Sequence, residues 1–224
     1  MEVMPVVEKN ELTRLLGGGE FATLSRATGT KIQKLEQLFN DKITPCLHHT
    51  TVAIDLVENG SIFLKEGQRL TSPKLSKTMK SCKEMVCYIV TVGDGVERKV
   101  QQLMDENHLA EAYILDAMAS VATENMVTTF HQQMMAGYEI EGRGVTLCFS
   151  PGYCDWPITD QRKLFGLFDS NQITVQLTDS CFMQPRKSIS GVFGVTPFDF
   201  KQRSPQAYNP CLDCNKKNCF AKRN

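Results

Sequence analysis

One short stretch of the sequence collects residues that build rigid, shaped loops. Residues 149–157 read Phe-Ser-Pro-Gly-Tyr-Cys-Asp-Trp-Pro and contain Trp156, the single tryptophan of the chain. Pro151 fixes the backbone φ angle, and Gly152 permits close approach of a ligand or a backbone beside the ring of Tyr153. This combination is typical of a small-molecule pocket. A turn that covers a hydrophobic core uses the same residue types, so the loop alone leaves both interpretations open.

A second group of chemically competent residues lies near the end of the sequence. Cys211, Cys214 and Cys219 form a C-x2-C-x4-C pattern in a polar, basic segment. Three thiols this close in a reducing compartment favour zinc or an iron-sulfur cluster, and the spacing does not decide between them. A fourth ligand could come from Cys154, Cys181, a solvent species or a bound substrate. A tail with incidental cysteines is the alternative.

The composition is that of a globular protein, and it excludes several functional classes. The 224 residues are 42% hydrophobic and 22% charged, and 25 basic residues balance 25 acidic ones. A net charge of zero supplies no field to attract nucleic acid or an anionic membrane. No apolar run approaches the ~18 residues of a membrane helix, and the start Met-Glu-Val-Met-Pro is unlike a signal peptide. We therefore expect a cytoplasmic protein whose nine cysteines are thiols or metal ligands.

The sequence predicts one domain followed by a separate tail. Nothing in the middle of the chain resembles a linker, so we assign residues 1–200 to a single domain whose residues 1–40 form a helical arm. A Gly-Gly-Gly run at 17–19 interrupts the helical pattern of that arm. Residues 201–224 carry six basic residues against one acid and form a basic, cysteine-rich tail.

Hydrophobic periodicity places the loop and the other candidate residues on specific elements. The longest predicted helix covers residues 109–135 and is apolar over most of its surface, which makes it central. Shorter helices are predicted at 96–104 and 160–168, and Ser72-Pro73 has the form of an N-cap followed by proline. Strands are predicted at 50–56, 85–92, 145–149, 173–177 and 188–195. Because helices and strands do not alternate regularly, we expect an α+β fold with a mixed, largely antiparallel sheet, a long central helix and flanking helices.

Two ordered motifs connect this sequence with a known family. Residues 148–157 read CFSPGYCDWP, and residues 177–191 read LTDSCFMQPRKSISG. Together they resemble the signature of the activation domain of cobalamin-dependent methionine synthase. The segments YIVTVG at 88–93 and ILDAMAS at 114–120 resemble the forms in which that domain is a free-standing chain. The similarity spans residues 88–194 and implies the α+β fold of that domain.

The resemblance also implies a site for S-adenosylmethionine. Gly152 and Tyr153, directly after Pro151, match the last two positions of the family's Arg-x-x-x-Gly-Tyr motif. There glycine would allow close approach, and tyrosine would offer a ring and a hydroxyl to the ligand. Cys148 stands at the position of the family's arginine, and a thiol cannot replace a planar cation that holds a ligand carboxylate.

Acidic and basic side chains elsewhere could complete that site. Glu124 lies on the long helix at a place that resembles an acidic contact to the ligand's ammonium group, and Asp116 is a second candidate on the same helix. For both, a surface acid or a structural ion pair is the alternative. The cation missing at position 148 could come from one of four other residues: Arg143, Arg162, Arg186 or Lys187.

In function, the resemblance implies a free-standing reactivation subunit, an accessory component in methionine biosynthesis. It would bind S-adenosylmethionine and help return cob(II)alamin on a partner to methylcobalamin. The partner would be a corrinoid-carrying methyltransferase that lacks its own activation domain. The protein need mainly align a reduced corrinoid with the sulfonium methyl group and exclude water. The alternative is a non-catalytic redox or docking module that binds a corrinoid protein and carries a metal or iron-sulfur site in its tail.

Overall fold

Helices and an antiparallel sheet make up the part of the chain that the computed structural model describes, residues 3–17 and 25–197. In chain order the elements are α1 Lys9–Leu15, α2 Arg26–Lys42, β1 Cys46–Glu58, β2 Ser61–Leu64, β3 Arg69–Thr71, α3 Pro73–Met79, β4 Glu84–Thr91, α4 Gly95–Asp105, α5 Leu109–Ile140, β5 Gly144–Val145, a 3₁₀ turn Ile158–Asp160, α6 Gln161–Phe165, β6 Gln176–Leu177, β7 Met183–Gln184 and β8 Ser188–Thr196.

The main sheet has six strands in the order β3-β2-β1-β4-β8-β5, and β6 and β7 form a separate hairpin. The pairings of β1 with β2, β2 with β3, and β5 with β8 are antiparallel. Six α-helices accompany these strands in the described residues. The predicted α+β class, with a largely antiparallel sheet and one long helix, is confirmed.

The described chain divides into two compact units. Unit 1 takes its residues from Met1–His48, Ile89–Phe130 and Thr174–Ile189, and unit 2 takes its residues from His49–Tyr88, His131–Ile173 and Ser190–Asn224. Each unit is therefore assembled from three separate stretches of chain. The single domain at 1–200 remains a prediction, and the tail predicted at 201–224 lies outside the described residues.

Helix α5 supplies much of the core of unit 1. It begins at Leu109 as predicted and continues past the predicted end, to Ile140. Six of its unit 1 side chains are completely buried: Leu115, Met118, Ala119, Ala122, Met126 and Phe130. Two polar contacts join the N-terminal helices to it, because the Tyr113 hydroxyl donates to the Leu15 carbonyl oxygen at 2.9 Å and Lys31 pairs with Glu111. An apolar helix of this length needs such a surrounding layer to keep it from water.

Close packing around β8 organises unit 2. A Cβ atom on Gly191 would lie 2.4 Å from the Tyr88 hydroxyl oxygen and 2.6 Å from the Phe149 carbonyl oxygen. One on Gly194 would lie 2.4 Å from Cys82 Sγ. These separations are far shorter than van der Waals contact, so both positions require glycine.

Several predicted elements agree with the structure. The Ser72 hydroxyl accepts a hydrogen bond from the Leu75 backbone N–H at 3.1 Å, and Pro73 occupies the first helical position of α3. The strands predicted at 50–56, 85–92 and 188–195 correspond to β1, β4 and β8, and the helix predicted at 96–104 corresponds to α4.

The strand predicted at 145–149 is wrong over most of its length. β5 ends at Val145, and the chain rejoins β8 through an isolated bridge at Phe149. Thr146 interrupts the ladder because its hydroxyl accepts a hydrogen bond from the Gly194 N–H at 2.8 Å, where a regular strand would offer a carbonyl. A side chain thus replaces the backbone acceptor, and the residues that follow do not continue the strand.

Two further boundaries differ from the prediction. The helix predicted at 160–168 is a 3₁₀ turn followed by α6, which ends before Gly166 because glycine disfavours a helix interior. The strand predicted at 173–177 shortens to β6, since the Thr174 N–H donates to His48 Nε2 at 3.3 Å rather than to a neighbouring strand.

The glycine at position 191 provides a direct test of the packing in unit 2. We expect Gly191→Ala to lower the free energy of unfolding by at least about 2 kcal/mol, because the new methyl group has no space. Gly137→Ala on α5 is the matched control: a Cβ there meets nothing within 4 Å, and alanine in a helix interior should stabilise by about 0.5–1 kcal/mol. Urea unfolding followed by circular dichroism measures both; equal effects of the two changes would contradict the close packing.

Candidate functional site

The loop at 149–157 is a closed, hydrogen-bonded turn in unit 2. The Gly152 N–H donates to the Trp156 carbonyl oxygen at 2.9 Å, and the Trp156 N–H donates to the Tyr153 carbonyl oxygen at 3.1 Å. Gly152 has a φ of 89°, in the left-handed region that glycine adopts without strain. Cys154 has a φ of 56°, which is uncommon for a residue with a side chain. The loop therefore has one defined shape rather than the variable path of a linker.

The two aromatic rings of the loop face different environments. Trp156 is 2% exposed, whereas Tyr153 is 52% exposed. The neighbouring Pro151 is buried, and Gly152 is exposed. A Cβ on Gly152 would approach Ile158 Cδ1 to 3.1 Å. The loop thus rests on a buried tryptophan and presents a tyrosine ring beside a strip of bare backbone, which is a surface that a flat or elongated ligand can contact closely.

Two carboxylates attach the loop to the corner where β3 leads into α3. Asp160 Oδ2 accepts from the Trp156 indole N–H at 3.1 Å and from the Thr71 backbone N–H at 3.0 Å. Asp155 accepts from the Ser72 hydroxyl and, at 3.1 Å, from the Lys74 backbone N–H. These bonds tie the C-terminal part of the loop to one place in unit 2.

Asp160 and Asp155 were not among the residues predicted for the site. A signal for Asp160 was present in the sequence, since a buried indole N–H needs an acceptor and an aspartate lies four residues after the only tryptophan. Asp155 carried no comparable signal, because its partners precede it by some eighty positions.

Cys148 is half-buried, in the irregular stretch between Thr146 and Phe149. Among the four cations that could substitute for an arginine at this position, Arg143 is engaged elsewhere. It pairs with Glu84, which raises the pKa of Arg143 through a hydrogen bond, and its guanidinium lies 4.9 Å from the centroid of the Tyr138 ring. Arg162 on α6 is exposed.

Asp116, predicted as a ligand contact, belongs to an ion-pair network in unit 1. Its Oδ2 lies 2.9 Å from Lys187 Nζ, which also donates to the Ser120 hydroxyl at 2.8 Å. The Lys187 side chain is 16% exposed, so this lysine is held in a structural role. Arg186 is 71% exposed, and its Nε lies 3.8 Å from Glu97.

Glu124 lies on the exposed side of α5, eight residues after Asp116. Its backbone carbonyl accepts a hydrogen bond from the Thr128 hydroxyl at 3.1 Å. Exposure leaves the carboxylate accessible from solvent, as a contact to a charged ligand group requires. The prediction for Glu124 stays a prediction.

Candidate metal ligands are few in the described residues. No group of three or more His, Cys, Asp or Glu side chains is arranged to hold a metal within residues 3–17 and 25–197. Cys46 Sγ and His48 Nε2 lie 3.1 Å apart on β1, and burial lowers the pKa of His48. The predicted ligands Cys211, Cys214 and Cys219 lie outside the described residues.

A comparison with known protein families accounts for the fold and the loop together. A sequence model described as the vitamin B12 dependent methionine synthase activation domain matches residues 75–199, more than half of the chain. The chain belongs to this activation-domain family. A search of curated proteins finds no match.

A solved structure supports the same fold for this activation domain. The crystal structure of the MetH reactivation domain bound to AdoHcy matches it with a TM-score of 0.60 and 15% sequence identity. The match covers 84% of this chain and 73% of that one. At this sequence identity the similarity shows the fold alone.

The family match covers the predicted ligand site but not the predicted arm or tail. It includes all six predicted ligand-site residues, Asp116, Glu124, Cys148, Pro151, Gly152 and Tyr153. The predicted arm at 1–40 and the three tail cysteines lie outside it. In the described part of this activation domain, no helix combines the length and the apolar character needed to cross a membrane.

Proposed function

We propose that this activation domain binds S-adenosylmethionine and serves the reactivation of a corrinoid methyltransferase of the methionine synthase type. The observation that carries the proposal is the loop at 149–157, where the exposed Tyr153 stands beside the exposed Gly152 above the buried Trp156. Membership of the activation-domain family supports it. The similar solved domain is bound to AdoHcy, the product that S-adenosylmethionine leaves after it gives up its methyl group.

The chemistry asks little of the protein beyond placement. A corrinoid on the partner supplies, when reduced by one electron, a nucleophile for the sulfonium methyl group. The residues of this chain bind the sulfonium ligand, orient its methyl group and keep water away. A rigid loop suits that task, because a loop that is already in its binding shape loses little entropy when the ligand arrives. We assign no proton transfer or covalent step to a side chain of this domain.

The ligand carboxylate needs a cation that Cys148 does not supply. Lys187 and Arg143 are engaged in partly buried ion pairs, and moving either would leave its acid without a partner. Arg162 and Arg186 are the exposed candidates among the four considered. Glu124 on α5 remains the candidate for the ligand's ammonium group.

The proposed partner is a corrinoid-carrying methyltransferase that lacks its own activation domain. The support is the resemblance of residues 88–93 and 114–120 to free-standing forms of the domain. The chain would then act on cobalamin held by a second protein. Co-purification of this chain with a candidate corrinoid protein, or its absence from such a complex, bears directly on this part of the proposal.

Removal of the Tyr153 side chain tests ligand binding. We expect Tyr153→Ala to raise the Kd for S-adenosylhomocysteine by about tenfold or more, because an aromatic contact and a hydrogen bond are lost together. Tyr153→Phe should raise it less, since the ring remains. Tyr113→Ala is the control, as Tyr113 is similarly exposed, at 58%, but lies on α5. Isothermal titration calorimetry measures all four proteins.

An absence of binding heat at millimolar S-adenosylmethionine and S-adenosylhomocysteine, with a corrinoid partner present, would contradict the proposal. It would favour the alternative of a non-catalytic docking or redox module. If Tyr153→Ala and Tyr113→Ala change the Kd equally, the ligand site does not lie at the loop.

Restoration of a cation at position 148 tests the departure from the family motif. We expect Cys148→Arg to tighten ligand binding by about tenfold, since a hydrogen bond to a charged carboxylate contributes ~1.5–3 kcal/mol. Cys148→Ala, the control for loss of the thiol, should leave the Kd unchanged. If a folded Cys148→Arg variant binds no better, either another cation already holds the carboxylate or the pocket serves a different ligand.

The tail cysteines form a separate proposal. We expect protein prepared without oxygen to contain about one zinc ion or one iron-sulfur cluster per chain. Visible absorption distinguishes the two, because iron-sulfur thiolates absorb and zinc does not. A chain that ends at residue 210 should lose the metal and keep its far-ultraviolet circular dichroism, since Cys211, Cys214 and Cys219 lie in a segment poor in apolar residues. If the native protein contains no metal, the proposal is wrong and the cysteines of the tail are incidental.

A further inference from the structure

We infer that Asp160 is a positioning residue for the ligand loop, which it holds to the edge of the sheet through the indole of Trp156. The inference rests on the proposed function, because it concerns how the loop that presents Tyr153 keeps its shape. Asp160 is not itself a contact to the ligand. It acts on binding through Trp156 and the backbone of the turn.

The first step concerns the edge strand β3, which pairs with β2 on one side. The Leu64 N–H donates to the Gln68 carbonyl oxygen, and the Ser72 N–H donates to the Gly60 carbonyl oxygen, each at 2.9 Å. Even-numbered residues of this segment therefore direct their backbone groups toward β2. In an antiparallel ladder the intervening residues direct theirs the opposite way, so those of Arg69 and Thr71 lie on the outer edge of the sheet.

The second step is that an ion pair takes the place of the missing next strand. Asp160 accepts the Thr71 N–H at 3.0 Å, and Lys163 Nζ donates to the Arg69 carbonyl oxygen at 2.9 Å. The two side chains pair with each other at 2.6 Å. One acid and one base thus satisfy one outward donor and one outward acceptor of β3, which a neighbouring strand would satisfy in the sheet interior.

The third step links this edge to the loop. The carboxylate oxygen that accepts the Thr71 N–H also accepts the indole N–H of Trp156 at 3.1 Å. Asp160 is 4% exposed and Trp156 is 2% exposed, so water cannot replace either bond without opening the structure. The buried ring under the loop is therefore fixed to the sheet through a single oxygen atom.

The consequence for binding follows from population arithmetic. Without the acceptor at position 160, two buried N–H groups lose their partner, and the loop reaches conformations in which they meet water. If about one molecule in ten then retains the binding shape, the apparent Kd rises about tenfold while the ligand contacts themselves are unchanged.

Asp155 provides a matched control in the same turn. It is exposed, and it bonds to Ser72 and Lys74 at the start of α3, with no bond to the indole. Asp155→Asn and Asp160→Asn remove the same charge from neighbouring positions. Asp160→Asn loses the ion pair with Lys163 but keeps an amide oxygen that can accept both N–H groups, whereas Asp160→Ala loses the pair and the acceptor.

The experiment compares wild type, Asp160→Ala, Asp160→Asn, Asp155→Asn and Trp156→Phe. It measures the Kd for S-adenosylhomocysteine by calorimetry, the fold by far-ultraviolet circular dichroism, and the fluorescence emission of the single tryptophan. We expect Asp160→Ala to shift the emission maximum to longer wavelength and to raise the Kd about tenfold. Asp160→Asn should keep the emission maximum and the Kd near those of wild type. Asp155→Asn should do the same, because Asp155 is exposed, asparagine keeps one acceptor oxygen, and the indole bond to Asp160 is untouched. Trp156→Phe retains a buried ring without the N–H group and should also raise the Kd.

A folded Asp160→Ala variant with unchanged emission and unchanged Kd overturns the inference. If Asp160→Ala does not fold, Trp156→Phe decides, and an unchanged Kd in that variant overturns it. If Asp160→Asn shows the full loss, the charge rather than the shared acceptor matters, and the inference fails. If wild type binds no S-adenosylhomocysteine, the proposed function fails, while the emission maxima of the Asp160 variants still confirm or overturn the role of Asp160 in holding the loop.

Discussion

Strand β8 packs so closely against its surroundings that Gly191 and Gly194 admit no side chain. This contact determines where the loop at 149–157 begins, because it allows Phe149 to form its bridge to β8 and so fixes where the chain leaves the sheet. The end of the loop is fixed at the opposite edge strand, where Asp160 bonds to the backbone of β3. Main-chain packing at one end and one carboxylate at the other thus fix the path of the loop. Together they determine the position of the exposed Tyr153.

The charged groups of the domain show why a lost arginine is not easily replaced. The less exposed cations already neutralise acids, as Lys187 does for Asp116 and Arg143 does for Glu84. Withdrawing a partly buried cation from its partner leaves an uncompensated charge, and the cost of that charge exceeds the gain from one new surface contact. Within the described residues, Lys187 and Arg143 therefore cannot take the place of an arginine at position 148 without loss of an existing ion pair.

Local signals in the sequence predicted the elements whose structure depends on nearby residues. The long apolar helix, the Ser72-Pro73 cap and the strands β1, β4 and β8 follow from periodicity and from short-range hydrogen bonds. Predictions were wrong where a side chain takes a hydrogen bond that the ladder would otherwise make. The Thr146 hydroxyl does so at 145–149, and the distant His48 does so at Thr174. Asp160 was not predicted because one of its two N–H partners is that of Thr71, which is far from it in the sequence. The resemblance of the motifs predicted the loop and the family, but it did not predict which residues anchor the loop.

The division into two units has a consequence for how the chain acquires its structure. The backbone passes from one unit to the other five times, at residues 48/49, 88/89, 130/131, 173/174 and 189/190. Neither unit can therefore be completed until the ribosome has released the last third of the domain, and most of the early chain must wait for partners that are synthesised late. A topology dominated by such distant contacts folds more slowly than a helical bundle of equal length, because the entropy of loop closure is lost before the stabilising contacts form. Newly made chains thus spend longer with apolar α5 uncovered, which is the period in which association between unfinished molecules competes with folding.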